Sequence, residues 1–419
     1  MRILFLQKRI LFPTDAGCKV RTLNVVRHLA RWHDVTYLCN VQPGEEDDLP
    51  QMRDLGVRLE TVPWRETPRS SPRFFGQLAI NLLSRYPFNV NKDYDPALRR
   101  RAVELLAQGP YDLVVCDFVQ MARNAVGLNA PASLLFQHNV EAEIFRRHAE
   151  TDDGWLRRKY MAVQWRKMRF FEAAAGRRFD AVIAVSPRDR EIFRREYGWN
   201  HVAVIDTAVD AEYFRPVETA EVADNVVFVG SLDWLPNEDG LIYFVREVWP
   251  SIRQRRPGAS FQIIGRNPGR KVQALSDVAG VEVVGAVPDV RPYRSAAAVE
   301  VVPLRIGGGT RLKIFEAMAM GKAIVSTALG AEGLDVRDGE HIAIADEPQD
   351  LADAVLDLLK NPARRNAIGQ RALQLVRENY TSEVVARQFD EICRRTVDAR
   401  ASSTAHSTSR NASTLAGAR

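Results

Sequence analysis

At 419 residues, with 46% hydrophobic, 26% charged and 8% aromatic side chains, the chain is long enough for two or three domains with real cores. This composition excludes a single small module, a fibrous protein and a disordered one. The net charge of +5 is unevenly spread, residues 1–200 holding 32 basic and 24 acidic side chains and residues 201–419 holding 26 and 29, so the two halves face different surroundings.

The apolar run over 1–12 is broken by Lys8 and Arg9, which fits neither a signal peptide nor a membrane span and predicts a cytosolic chain. Four scattered cysteines without a CxxC pair argue against a disulfide framework or a cysteine zinc site and agree with a reducing compartment. Short β-branched runs then alternate with longer segments of helical spacing, the pattern of parallel sheets built from βαβ units. In the first half strands are predicted over 2–7, 34–41, 58–63, 112–118, 133–138 and 181–185, each apolar throughout as burial on both faces demands. Helices are predicted over 17–31, 72–84, 96–107, 155–177 and 188–196. An acidic, strandless stretch over 206–225 reads as an interdomain linker. A second set follows, with strands over 226–230, 260–265, 281–284, 299–303, 323–327 and 341–344 and helices over 238–256 and 310–320. Successive helices over 350–359, 363–379 and 382–398 close the pattern, and the Ser/Thr/Ala tail over 401–419 has too few large apolar groups to repay ordering. The expected fold is α/β: two Rossmann-like, doubly wound parallel-sheet domains, 1–205 and 226–380, facing across a cleft, followed by a disordered tail. Ligands bind at the carboxyl ends of strands in such sheets, so the chemistry belongs on the loops there.

The strongest constellation runs from Leu304 to Gly321: a strand, the loop Gly307-Gly308-Gly309, then a helix. Glycines admit close approach of a ligand to the backbone, and unpaired N–H groups and the dipole at the helix start favour an anion. Arg311 and Lys313 add cations. Thr310, Lys313 and Glu316 share one side of the helix, expected to face the cleft, while Leu312, Phe315 and Ala319 share the core side. A diphosphate held at Gly308, Gly309 and Thr310 would leave the Glu316 carboxylate placed to accept hydrogen bonds from ribose hydroxyls. A tight turn followed by a solvated helix explains the same glycines, but not cations and a carboxylate on one face. In the first domain, Gly17 opens a helix after the first strand and could offer an N–H to the same diphosphate; an ordinary strand-to-helix turn explains it equally well. His138 and Asn139 follow a buried strand, which places His138 at the expected cleft mouth, with catalytic and structural roles both open.

Other signals are discounted. Asp93-Tyr94-Asp95 looks like a metal-binding triplet, but Asp95-Pro96 reads as an N-cap followed by proline at the first helical position, so no metal is expected. Neither Gly-x-Ser-x-Gly nor a Walker loop is present. Aromatics and leucines flanked by arginines over 69–85, and the basic positions of 157–169, suit either contact with an anionic membrane or a core stripe with a solvated basic face. No nucleic-acid reading module accompanies that charge.

Together these motifs resemble the retaining nucleotide-sugar glycosyltransferases of family 4, which have the GT-B fold, and in particular the subgroup associated with bacterial exopolysaccharide assembly. The marks are the loop after the first strand, the His138 turn, Val185-Ser186-Pro187, Phe228-Val229-Gly230-Ser231-Leu232, Ile263-Ile264-Gly265-Arg266, and above all Gly308 to Lys313 running into Glu316 to Gly321. The resemblance implies an acceptor-binding first domain, a donor-binding second domain with Gly230 and Ser231 among its donor contacts, and a last helix over 381–400 crossing back to the first. It places the diphosphate and sugar at Gly308 to Lys313, the ribose at Glu316, and the sugar near His138. Three departures stand out. Gly308 occupies the position where family members often carry an earlier glutamate; Asp233 to Asp239 replaces the usual Arg and Lys-Gly phosphate grip; and Thr207-Ala208-Val209-Asp210 replaces a common Asn-Gly-Val-Asp. Arg311 and Lys313, with Arg266 in support, are therefore expected to supply the charge beside the leaving diphosphate. The expected activity is metal-independent transfer from a nucleotide-diphosphate sugar, needing no cofactor, to a polysaccharide precursor or lipid-linked acceptor at the cytosolic membrane face. A non-hydrolysing nucleotide-sugar epimerase and a non-catalytic nucleotide-sugar binding module are the competing readings.

Overall fold

The computed structural model describes residues 1–14, 17–68, 70–151, 154–306 and 312–416, the stretch 404–416 as backbone only. The chain divides into two compact units, residues 1–206 with 386–419, and residues 207–385.

The first unit is built on seven parallel strands: β1 (Arg2–Gln7), β2 (Asp34–Val41), β3 (Arg58–Pro63), β4 (Leu113–Asp117), β5 (Ala132–Phe136), β6 (Ala181–Ala184) and β7 (Val202–Val204), in the spatial order β3-β2-β1-β4-β5-β6-β7. The inner strands are buried on both faces, as runs such as Ile3-Leu4-Phe5-Leu6 require. The edge strand β3 departs from the expectation of an apolar strand: only Val62 is buried, and Arg58 and Glu60 blunt an edge that neighbouring chains could otherwise extend. With only three residues, β7 is too short for its period to register in the sequence. Three helices, Pro72–Asn81, Pro96–Gln108 and Pro187–Tyr197, start the same way. A Ser71, Asp95 or Ser186 side chain accepts a first-turn amide hydrogen, and proline takes the next position, where no amide hydrogen is needed. With Asp95 capping its helix and Asp93 paired to Lys8 at 2.6 Å, the Asp93-Tyr94-Asp95 triplet serves the scaffold.

The second unit carries six parallel strands: β8 (Asn225–Val229), β9 (Ser260–Ile264), β10 (Val281–Gly285), β11 (Val299–Val302), β12 (Ala323–Ser326) and β13 (Ala343–Ile344), ordered β10-β9-β8-β11-β12-β13. The helix expected over 238–256 is instead Leu235–Tyr243, a π-helical turn at Phe244–Val248, and Trp249–Arg255. Pro250 explains the break, since it lacks an amide hydrogen and its ring displaces the carbonyl four residues back. The stretch expected to be a linker packs into this unit from Thr207 on. Val209 N–H donates to Tyr380 O (2.8 Å), Val222 N–H donates to Ala296 O (2.8 Å), and Ala208 and Val209 are buried. The last helix, Ser382–Ala416, carries the chain back to the first unit from Ala386, where Phe389 packs edge-on against Phe136 (5.1 Å) and Asp390 lies 2.6 Å from His33. Its backbone stays helical through the tail expected to be disordered. Extending a formed helix is far easier than starting one, and no glycine or proline interrupts before Gly417.

In each sheet the strand order reverses about the unit's first strand, so crevices open at the carboxyl ends of β1 and β4 and of β8 and β11.

Candidate functional site

At the first of these points the residues are polar but deeply buried. Asp117, the last residue of β4, has no exposed side-chain surface. Its Oδ2 accepts from Gln7 Nε2 (2.5 Å), at the end of β1, and from the Thr22 hydroxyl (2.7 Å) in the Gly17–Trp32 helix. Its Oδ1 lies 2.6 Å from His138 Nε2, and Arg21 Nη1 lies 3.2 Å from His138 Nδ1. A guanidinium only donates, so Nδ1 is the acceptor and Nε2 carries the proton: a neutral imidazole of fixed tautomer. Burial pushes the His138 pKa down, against the pull of Asp117, in agreement with that assignment. The ring is clamped between Phe118 (4.1 Å) and Phe136 (4.3 Å), and Phe118 holds the left-handed value φ = 71°, a strained conformation for a bulky residue and one that concentrates at functional sites.

His138 is therefore not at an open mouth as expected. Aromatic packing and two nitrogen contacts draw it inside, and a sugar could engage either nitrogen only after Asp117 or Arg21 released it. Behind it, the Glu172 carboxylate accepts from Gln137 Nε2, the amides of Glu141 and Ala142, and the Tyr197 hydroxyl, all at 2.8–3.1 Å. Gly17 is the exposed first residue of its helix, with Arg21 one turn further on.

At the second point, Gly308, Gly309, Thr310 and Arg311 lie outside the described residues. The helix that follows, Leu312–Ala319, turns Phe315 and Ala319 into the core and leaves Lys313 and Glu316 partly exposed, the division the spacing predicts. Leu312, expected on the core side, is only partly buried at the helix start. Lys313 Nζ donates to Asn237 Oδ1 (2.6 Å) and sits 4.3 Å above the Phe228 ring, while Asn237 Nδ2 donates to Ser231 O (2.6 Å). The ammonium thus rests over the end of β8. A Cβ on Gly230 would stand 2.8 Å from that nitrogen, and one on Gly265 would stand 1.7 Å from Gly230 O, so both positions need glycine's missing side chain for close approach. Ser231 Oγ donates to the Asp233 carboxylate (2.7 Å), and Arg266 is exposed at the end of β9.

Glu316 is anchored from below. Arg294, with no exposed side-chain surface, reaches Glu316 Oε2 with Nη1 (2.9 Å), the buried Glu300 on β11 with Nε (3.0 Å) and Nη2 (3.2 Å), and Lys313 O with Nη2 (3.3 Å). Burial alone would lower the Arg294 pKa, but the two carboxylates outweigh it and hold it above its ordinary value. One buried guanidinium thereby fixes both outward-facing residues of the helix.

Of the expected residues, Gly230, Ser231 and Lys313 come together through Asn237, and Glu316 joins them on the same helix; Gly17 and His138 belong to the other unit. Sequence reasoning missed Asp117, Asn237 and Arg294. A carboxylate closing an apolar strand beside the order reversal could have flagged Asp117; nothing in the sequence pairs Arg294 with a glutamate 22 residues away. Among the described residues no three His, Cys, Asp or Glu side chains are grouped to hold a metal ion, and no helix is long and apolar enough to cross a membrane.

Residues 16–207 match the family described as glycosyl transferase 4-like domain, and residues 223–361 match glycosyl transferases group 1. An uncharacterized 44.6 kDa protein in the cps region of Klebsiella pneumoniae is 23% identical over 68% of this chain and 75% of its own length. The lipopolysaccharide core biosynthesis mannosyltransferase LpcC of Rhizobium leguminosarum is 28% identical over 49% of this chain and 62% of its own. Among solved structures, HepE of Anabaena in complex with UDP superimposes with a TM-score of 0.64 at 14% identity, covering 93% of this chain and 99% of HepE. Sucrose-phosphate synthase of Thermosynechococcus elongatus gives 0.66 at 19%, covering 95% and 100%. With both units matched and the two-sheet architecture shared along nearly the whole length, the chain belongs to the glycosyltransferases of the GT-B fold.

Proposed function

We propose that the protein transfers a sugar from a nucleotide-diphosphate sugar, with retention and without a metal, to a polysaccharide precursor or lipid-linked acceptor in bacterial surface-glycan synthesis. The observation that carries this reading is the pair on one helix: an ammonium, Lys313, over the end of β8, and a carboxylate, Glu316, oriented by buried Arg294. The donor reading is supported by the UDP bound to HepE, and the surface-glycan setting by the cps-region and LpcC relatives.

The bond from the sugar's anomeric carbon to the diphosphate breaks while the acceptor oxygen bonds to that carbon on the same face. The acceptor proton passes to the departing phosphate oxygen, releasing a nucleoside diphosphate. Charge builds on that oxygen, and Lys313, assisted by Arg311 and Arg266, stabilises it more in the transition state than in the bound donor. The segment from Gly308 to Thr310 supplies amide hydrogens to the diphosphate, Gly230 and Ser231 border it, and Glu316 accepts from the ribose hydroxyls. On the first unit Gly17 offers a further amide, and His138 engages the sugar once Arg21 releases its Nδ1.

A thermal-shift panel of nucleotide-diphosphate sugars, followed by transfer assays with and without EDTA and NMR of the product's anomeric centre, tests the reading. Stabilisation by one donor, EDTA-insensitive transfer and a retained configuration are expected. No response to any nucleotide diphosphate, or an inverted product, overturns it.

A further inference from the structure

The segment after β8, Asp233 to Asp239, borders the proposed diphosphate position, yet it holds three carboxylates and no lysine or arginine. Each carboxylate is engaged by a neighbour. Asp233 accepts from Ser231 Oγ (2.7 Å) and Asn267 Nδ2 (3.1 Å), Glu238 lies 3.3 Å from Lys271 Nζ, and Asp239 accepts from Arg305 Nε (3.1 Å) and Nη2 (2.8 Å). Successive residues of a helix point about 100° apart. Asn237, just ahead of Glu238 and Asp239 on the Leu235–Tyr243 helix, therefore faces another way, and what it faces is Lys313.

The Asn237 side chain is buried, the residue being 2% exposed, and both ends of its amide are used. The Ser231 carbonyl can only accept, so the amide nitrogen must face it (2.6 Å), which turns the amide oxygen to the Lys313 ammonium (2.6 Å). The helix that carries Asn237 is seated closely: a Cβ on Gly240, one turn further on, would stand 2.6 Å from Pro303 O. The chemistry of the contact matters as much as its place. A carboxylate at this position would attract the ammonium more strongly but cancel its charge. An amide oxygen fixes the ammonium and adds no net charge, so the field of the lysine is kept for an anion.

We propose that Asn237 is a positioning residue for diphosphate binding, holding Lys313 over the end of β8 as an undiminished cation. The inference rests on the reading of Lys313 as the cation beside the diphosphate.

The test measures, by calorimetry on the full chain from pH 4.5 to 8.5, the affinity for UDP, GDP, ADP, CDP and dTDP, and carries the tightest of them forward. Each variant is expressed as a ratio to the wild type at the same pH, which cancels the titration of the nucleotide itself. Asn237→Asp keeps the shape and the contact with Lys313, whereas Asn237→Leu keeps only the bulk. A purely structural role therefore ranks the Asp variant above the Leu variant. The proposed role reverses that order at pH 8. Asn237→Leu should bind about fourfold more weakly, from an ammonium displaced by about 1 Å, and Asn237→Asp up to about 100-fold more weakly, from a unit negative charge about 6 Å from the phosphate at an effective dielectric near 20. As pH falls the Asp ratio should recover, because a protonated carboxyl donates to Ser231 O and accepts from Lys313 as the amide does, while the Leu ratio stays flat. Melting temperatures at each pH confirm that the variants are folded. If Asn237→Asp is unfolded at pH 8, Asn237→Leu decides: folded and as tight as the wild type it overturns the proposal, and fourfold weaker with a flat ratio it supports it. Lys313→Ala separates the proposal from the reading beneath it. Wild-type affinity in that variant, or a wild type that binds none of the five nucleotides, overturns both. Weak binding by Lys313→Ala, with the Asp variant as tight as the Leu variant at pH 8 or with an Asp ratio that does not move with pH, overturns the proposal alone.

Discussion

Replacing Gly230 by alanine moves the proposed catalytic ammonium without deleting it. The added Cβ would lie 2.8 Å from Lys313 Nζ, 2.9 Å from Asn237 Nδ2 and 3.3 Å from Phe228 Cε1. The first two are the ends of side chains, which can withdraw by about 1 Å to reach van der Waals contact. Gly230 does not have a positive φ, so alanine imposes no backbone strain and slightly restricts the unfolded chain; the net stability change should stay within about 1 kcal/mol. Catalysis should respond far more. A cation about 4 Å from a developing charge contributes about 4 kcal/mol at an effective dielectric near 20, and withdrawal to about 5 Å forfeits about 0.8 kcal/mol, roughly fourfold in rate. Misplacement of a positioning group by about 1 Å can reach about 100-fold, which sets the upper bound. Lys313→Ala, losing the whole contribution, should slow turnover about 1,000-fold. The assay is kcat for nucleoside diphosphate release at saturating donor, alongside the melting temperature. If Gly230→Ala is as fast as the wild type while Lys313→Ala is slow, the ammonium does not act from the position seen over β8. If both are fast, the electrostatic argument fails.

Arg294→Met should lower stability by about 3 to 5 kcal/mol, because Glu300 is left buried without its partner, whereas Arg294→Met combined with Glu300→Leu should recover most of that loss; urea denaturation of both variants decides it. The double variant should still bind donor more weakly, since Glu316 loses its anchor. The buried carboxyl of Glu172 is raised to about 8 by burial and then by Glu141, which burial raises to about 7. Each folded value exceeds the ordinary 4.5, so between about pH 4.5 and 8 the folded state holds protons that the unfolded state has released, and this contribution to stability is lost as pH rises through 7 to 8. Glu172→Gln should flatten that part of the stability profile measured by denaturant titration at fixed pH steps; an unchanged slope would place the titration elsewhere.

Much of the architecture could be read in advance because buried parallel strands are written as local apolar runs: 2–7 and 34–41 were expected to the residue. What escaped depends on context. The edge position of β3 and the three residues of β7 are set by neighbours, and the π-helical turn is set by a single proline inside an otherwise helical pattern. The division of the helix after the glycine loop was legible because a period of 3.6 separates Lys313 and Glu316 from Phe315 and Ala319. The supports of the site were not. Asn237 meets Lys313 across 76 positions, and Asp117 meets Gln7 across 110, separations over which one sequence carries no pairing signal. His138 was placed at the end of the right strand, but its burial follows from two phenylalanine rings, one of them held at an unusual backbone angle.

The return of the last helix sets a timetable for synthesis. Phe389 and Asp390 complete the packing around Phe136 and His33, yet the ribosome emits roughly 180 residues of the second unit between Asp206 and Ala386. At about 5 to 20 residues per second, the nascent first unit waits on the order of 10 to 40 seconds with that apolar seam uncovered. A chaperone has its window there, and a nonsense mutation just before Ala386 would injure the half of the molecule made first.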